Sequence, residues 1–135
     1  GKLLATIADN DKEEAVEILR EFRELGWEIY ATGGTAKKLN DAGVGAAPVL
    51  KIREGTPNLL DLVRNGNIDL LINTLSTDKQ TEREGVHIRR ASVETGVTCL
   101  TSLDTARALL RSIRARKAGE AFACKTTSEY LAGVG

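Results

Sequence analysis

The chain has 135 residues, 41% of them hydrophobic and 28% charged, which suits a single soluble globular domain with one buried core. Its 19 basic and 19 acidic residues cancel. No overall charge draws it to nucleic acid or an anionic membrane, so an anion site must be local, and no apolar run approaches the roughly 20 residues of a membrane span.

Cys99 and Cys124 lie apart, with no CxxC spacing and no nearby histidine, which argues against a disulfide framework or zinc site. We expect a reducing cytoplasm, in keeping with the absence of a charged-then-apolar leader. The sequence opens on Gly1 and contains no methionine, from which we expect a domain of a larger protein.

Leu3 to Ala8 is a short apolar run that reads as a buried first strand. Asp11 and Glu14 suggest an N-cap and N3 pair opening a helix, whose Ala15, Ile18, Leu19, Phe22 and Leu25 recur at helical spacing. Gly26 ends it. Trp27 to Ala31 is a second strand running into Thr32-Gly33-Gly34-Thr35, and a helix follows from about Thr35 to Ala42. Glycines tolerate positive φ and close approach, and a helix start offers unpaired N–H groups. This joint is therefore either a phosphate cradle or a tight turn that uses glycine for geometry alone.

Ala47 to Leu50 reads as a short strand, at a sheet edge because of Pro48. A short helix is expected near Leu59 to Arg64. Asp69 to Asn73 is apolar enough for a central parallel strand. Thr74 to Glu84 shows no clear periodicity; a helix is expected around Ile88 to Thr95, a fifth strand at Val97 to Thr101, and a last helix from about Asp104 to Lys117. Residues 1–120 thus form the domain, and residues 121–135 read as a C-terminal tail. The alternation of strands and helices with short connections requires α/β architecture, a parallel sheet with helices on both faces.

Ligands of such sheets bind beyond the carboxyl ends of the strands. Those positions carry Asp9 to Lys12, Thr32 to Thr35, Lys51, Asn73 to Ser76, and Thr101-Ser102. Lys12 falls in a first helical turn, where the macrodipole disfavours a cation by roughly 0.3–1 kcal/mol. It is either an anion ligand or a solvated lysine offset by its acidic neighbours. Lys12 and Lys51 together, flanking the glycine joint, favour an anion site. Asn73, Thr74 and Ser76 either cap the next turn or read a ligand's hydrogen-bonding edge. His87, the only histidine, reads as a helix-start or surface residue, and Cys99 as packing. Arg107, Arg111 and Arg114 share a face of the last helix that is either solvated or a docking surface for missing parts.

Several blocks in order carry a resemblance: Asp11-Lys12-Glu13-Glu14, Ala31 to Ala36, Lys51 to Asn58, Asn65 to Thr74, and Ile88 to Val93. Over about residues 2 to 115 the chain resembles the methylglyoxal-synthase-like domain at the C-terminus of the carbamoyl-phosphate synthetase large subunit. The resemblance implies a three-layer, methylglyoxal-synthase-like fold with a five-stranded parallel sheet in the order 3-2-1-4-5. It also implies a regulatory role in pyrimidine and arginine biosynthesis. Relatives bind UMP or IMP; an animal form responds to UTP and a urea-cycle form binds N-acetylglutamate.

The implied effector site comprises Lys12, Thr32, Thr35, Lys51, Asn73 and Thr74, to which the strand-end reading adds Gly33, Gly34 and Ser76. The implied partners are the other domains of the large subunit and a glutamine amidotransferase small subunit. The domain itself needs no cofactor; the parent enzyme uses ATP with Mg or Mn. The chain departs from the family at Leu75-Ser76-Thr77, where Thr or Pro and then Ser-Gly are common. The alternative is a free-standing methylglyoxal synthase-type lyase acting on dihydroxyacetone phosphate. That enzyme is expected to carry a Gly-Gly-Asp turn, where this chain has Arg53-Glu54-Gly55-Thr56-Pro57, and a histidine where it has Asp9-Asn10. The inosine-monophosphate cyclohydrolase domain is a more distant likeness.

Overall fold

A computed structural model describes residues 1–134, with side chains described through Gly119. The elements are β1 (Lys2–Thr6), α1 (Lys12–Glu24), β2 (Glu28–Thr32), α2 (Gly33–Asp41), β3 (Ala47–Val49), α3 (Leu59–Arg64), β4 (Leu70–Asn73), α4 (Lys79–Thr95), β5 (Thr98–Leu100) and α5 (Leu103–Val134). Single 3-10 turns at Asp9–Asp11 and Ile52–Glu54 lie in the β1–α1 and β3–α3 connections. The strands form one sheet in the order β3-β2-β1-β4-β5, every pair parallel, with Pro48 on an edge strand.

Alternation along the strands divides the interior into two layers. Leu3, Ala5, Ile29, Leu70 and Ile72 face α1, α2 and α5, meeting Leu19, Phe22, Leu39, Ala106 and Leu110. Leu4 and Leu71 face α3 and α4, meeting Leu59, Val63, Ile88 and Ala91. The helical periodicity of α1 thus identifies a buried face, although Leu25 is only partly buried at its end. Phe22 is fully buried and meets the edge of Trp27, ring centroids 5.6 Å apart.

Several local expectations change. The Asp11–Glu14 cap does not form: Asp11 closes a 3-10 turn in helical conformation and its side chain caps nothing. Gly33 and Gly34 lie inside α2 with ordinary helical φ, so positive φ is not their role. The polar stretch after Asn73 is largely helix. α4 begins at Lys79 because Asp78 caps it, accepting from the Thr81 N–H at 2.9 Å. Its first turns bury only Gly85, so they carry no apolar stripe for periodicity to detect. At its other end Gly96 adopts the left-handed conformation, φ 75°, and donates to the carbonyls of Ser92 and Val93.

The arginine face of α5 is neither free nor merely solvated. Arg107 pairs with Glu14, Arg114 with Glu21 at 2.9 Å, and Lys117 donates to the Leu25 carbonyl at 3.1 Å, all on or just beyond α1. Arg111 and Arg114 are both exposed, and of the three arginines Arg111 alone joins no ion pair among the described residues. The α5 backbone continues past Gly119, and the side chains of residues 121–135, read above as a tail, lie outside those described.

Candidate anion-binding site

Strand register builds the floor of the site. Thr6 and Asn73 are partners across β1 and β4, and Thr32 stands one residue beyond the Ala5–Ala31 pair of β1 and β2. By alternation all three face the α3–α4 side at the carboxyl ends of their strands. Thr32 and Asn73 are thus separated by two strand spacings, roughly 10 Å. The sheet order reverses between β1 and β4, and such a switch point is where open parallel sheets take ligands. A cavity of about 340 Å³ opens there, at the small end of the roughly 300–1,000 Å³ range of ligand pockets.

One wall is the start of α2. Thr32 is its extended N-cap residue, yet its side chain bonds no backbone N–H of the helix. The first-turn N–H groups therefore remain without intrahelical partners, with the positive end of the helix dipole beside the cavity. Thr32 and Thr35 are 6% and 3% exposed. Among the described residues neither hydroxyl donates or accepts within the chain, so both are available to a ligand.

Lys12 projects into the same corner from the first turn of α1. Its ammonium is 2.5 Å from the Asp9 carboxylate, whose pKa is held below the usual carboxylate range by that hydrogen bond and charge. A Cβ at Gly34 would lie 2.9 Å from the Lys12 Nζ. Gly34 thus matters because it lets the ammonium close on the helix start, while a Cβ at Gly33 would meet nothing and Gly33 does not line the cavity. Lys51, at the end of β3, contributes the second cation. Its backbone N–H is tied to Glu54 at 2.7 Å, and its side chain joins no ion pair among the described residues.

The opposite wall is a hydrogen-bonded network on β4 and α4. Asn73 donates to the Thr6 hydroxyl and accepts from Arg89, both at 2.6 Å. Arg89 also pairs with Glu82, and Glu82 in turn accepts the Ser76 N–H at 3.0 Å. The Ser76 N–H and then Arg89 hold the Glu82 pKa below its ordinary value. Thr74 Oγ1 accepts from the Ala8 N–H at 2.7 Å and so ties the β4 end to the loop after β1. Asp78 faces the cavity, but its carboxylate is engaged by Thr81 through both backbone and hydroxyl, which lowers its pKa.

Of the residues expected to form the effector site, all but Gly33 line one cavity. Thr101 and Ser102 do not: the Ser102 hydroxyl pairs with Thr105 at 2.6 Å at the start of α5. His87 is exposed on α4 and Cys99 is partly buried against the α3–α4 layer, burial pushing its thiol pKa up. Among the described residues no cluster of His, Cys, Asp or Glu is arranged to hold a metal, and no helix is long and apolar enough to cross a membrane. Sequence reasoning missed Thr6, Arg53, Glu82 and Gly85, which also line the cavity, and Arg89, which bonds Asn73 and Glu82. Glu82 and Arg89 stand seven residues apart, two helical turns, and so share a face. That spacing becomes readable only once α4 is known to begin at Lys79.

Fold and site together define an open parallel α/β domain whose switch point holds a cavity lined by Lys12, Lys51 and the start of α2. Residues 14–101 match the MGS-like domain family, and the chain belongs to that family.

Proposed function

We propose that this is the effector-binding regulatory domain of a carbamoyl-phosphate synthetase large subunit. It takes a nucleoside monophosphate, UMP or IMP, as a signal and does not transform it. Its partners on this reading are the remaining domains of the large subunit and the glutamine amidotransferase subunit, in the cytoplasm. The domain uses no cofactor of its own; ATP and Mg or Mn belong to the parent enzyme.

The observation that carries the reading is the convergence of Lys12, Lys51, Thr35 and the free start of α2 on one corner of the cavity. Two cations, a hydroxyl and oriented N–H groups are the complement of a phosphate. The lyase alternative calls for a carboxylate in the loop after β3. The carboxylate there, Glu54, is exposed, does not line the cavity and is occupied by the Lys51 N–H.

Calorimetric titration of the 135-residue chain with UMP, IMP, UTP and N-acetylglutamate tests the proposal. A nucleoside monophosphate should bind, and Lys12→Ala or Lys51→Ala should each weaken it by roughly 1.5–3 kcal/mol, the worth of a charge-assisted contact. Parent-like affinity in both variants refutes the site. Incubation with dihydroxyacetone phosphate should release no methylglyoxal; turnover would replace the receptor reading with the lyase.

A further inference from the structure

We propose that Arg89 is a positioning residue that fixes the side-chain amide of Asn73, so that Asn73 turns its N–H, and not its carbonyl oxygen, toward a ligand in the cavity. The inference rests on the reading of the cavity as a receptor for a phosphorylated compound, and it adds what the other end of that compound must carry.

An asparagine amide ordinarily has two faces to offer, an acceptor oxygen and a donor nitrogen. At position 73 the choice is removed. Guanidinium groups donate and never accept, so the atom 2.6 Å from Arg89 Nη1 must be Oδ1. The Nδ2 then points away and gives one hydrogen to Thr6 Oγ1, also at 2.6 Å. Its second hydrogen has no partner among the described residues, and Asn73 lines the cavity while being only 5% exposed. Thr6 accepts through its oxygen, which leaves its own hydroxyl hydrogen to donate. Asn73 and Thr6 together therefore show the cavity two N–H and O–H donors.

The arginine is itself held. Glu82 takes the second nitrogen of the guanidinium and anchors the loop through the Ser76 N–H. Gly85 makes room: a Cβ there would fall 2.9 Å from Arg89 Nη1 and 3.4 Å from Asn73 Oδ1. A glycine in the middle of a helix costs stability relative to alanine, and here it is what allows the arginine to reach the asparagine. Asn73 lies roughly 10 Å from Thr32 by strand spacing, whereas Thr6 on β1 stands one spacing from it, so the Asn73 N–H is the donor out of reach of a phosphate held at α2. It reads a second group, a carbonyl or hydroxyl acceptor on the non-phosphate part of the ligand.

The test compares UMP with orthophosphate as probes by calorimetry, using the full chain and its Arg89→Met, Arg89→Lys and Gly85→Ala variants. Arg89→Met and Gly85→Ala should each weaken UMP by about tenfold, the upper range for one hydrogen bond, and leave orthophosphate within about twofold. Arg89→Lys, which keeps a donor, should recover part of the loss. In ligand-free protein the side-chain amide resonances of Asn73 should shift and exchange faster in Arg89→Met and Gly85→Ala. Equal losses for both probes, or unmoved amide resonances, overturn the proposal. A parent chain that binds neither probe refutes the receptor reading instead, and the amide resonances still decide what Arg89 does. Should Arg89→Met fail to fold, Gly85→Ala carries the test, because its methyl would meet the flexible end of the arginine at 2.9 Å and Asn73 Oδ1 only at 3.4 Å.

Discussion

The ammonium of Lys12 is paired with the carboxylate of Asp9, 2.5 Å away, at the corner where it closes on the start of α2. The pair is lopsided: the Lys12 side chain is 22% exposed and that of Asp9 is 92% exposed. On the proposed reading Asp9 stands in for the ligand's anion, and the ligand has to displace or share it. Asp9→Asn should therefore tighten orthophosphate or UMP by up to about fivefold, the range expected of an exposed ion pair. Titration of parent and variant at matched ionic strength checks this, and weaker binding by the variant would show that Asp9 helps hold the ligand.

Gly34 separates stability from binding. The position is helical, so Gly34→Ala should stabilise the fold by up to roughly 1 kcal/mol. The new methyl would lie 2.9 Å from the Lys12 ammonium and push it off the helix start. Urea unfolding should show unchanged or raised stability while phosphate affinity falls. Gly33→Ala, whose methyl would meet nothing, should leave affinity intact and serves as the control.

Glu82 gives the α4 network a pH limit. Its folded pKa is lowered, first by the Ser76 N–H and then by Arg89. A depressed carboxylate contributes stability above its unfolded pKa, about 4.3, and loses it as pH falls through the lower folded value. Glu82→Gln should thus destabilise the protein at pH 7 and at pH 5, and the difference from the parent should close in stronger acid. Urea midpoints measured at several pH values between 7 and 3 check the sign; a gap that widens in acid would contradict it.

The larger core depends on Phe22. It is fully buried against the sheet and the edge of Trp27, so Phe22→Ala should cost about 3–5 kcal/mol. Urea denaturation followed by fluorescence of Trp27, the only tryptophan, measures it directly.

Much of this protein is legible in its residues taken alone. The apolar runs at Leu3, Ile29 and Leu70 and the helical spacing in α1 establish the alternation of strands and helices, because burial on a sheet or helix face leaves a short-range period. The α3 boundaries, Leu59 to Arg64, follow from the loop before it and Asn65-Gly66 after it. Position at strand ends was enough to collect Lys12, Thr32, Thr35, Lys51 and Asn73, since a parallel sheet brings all its carboxyl ends to one rim. The beginning of α4 left no such trace, because its first turns face the cavity and solvent instead of the core.

Contacts between residues distant in the chain belong to the tertiary structure. The sequence marks Gly33 and Gly34 as one motif, but only packing distinguishes them: Lys12 closes on the second and nothing approaches the first. It likewise shows Asn73 as an amide with two possible faces, and Arg89, sixteen residues away, selects one. Sequence determined which groups reach the rim, through periodicity and strand order. Which hydrogen each presents there was decided by partners that the fold brings to within 3 Å of one another, a relation that no local pattern encodes.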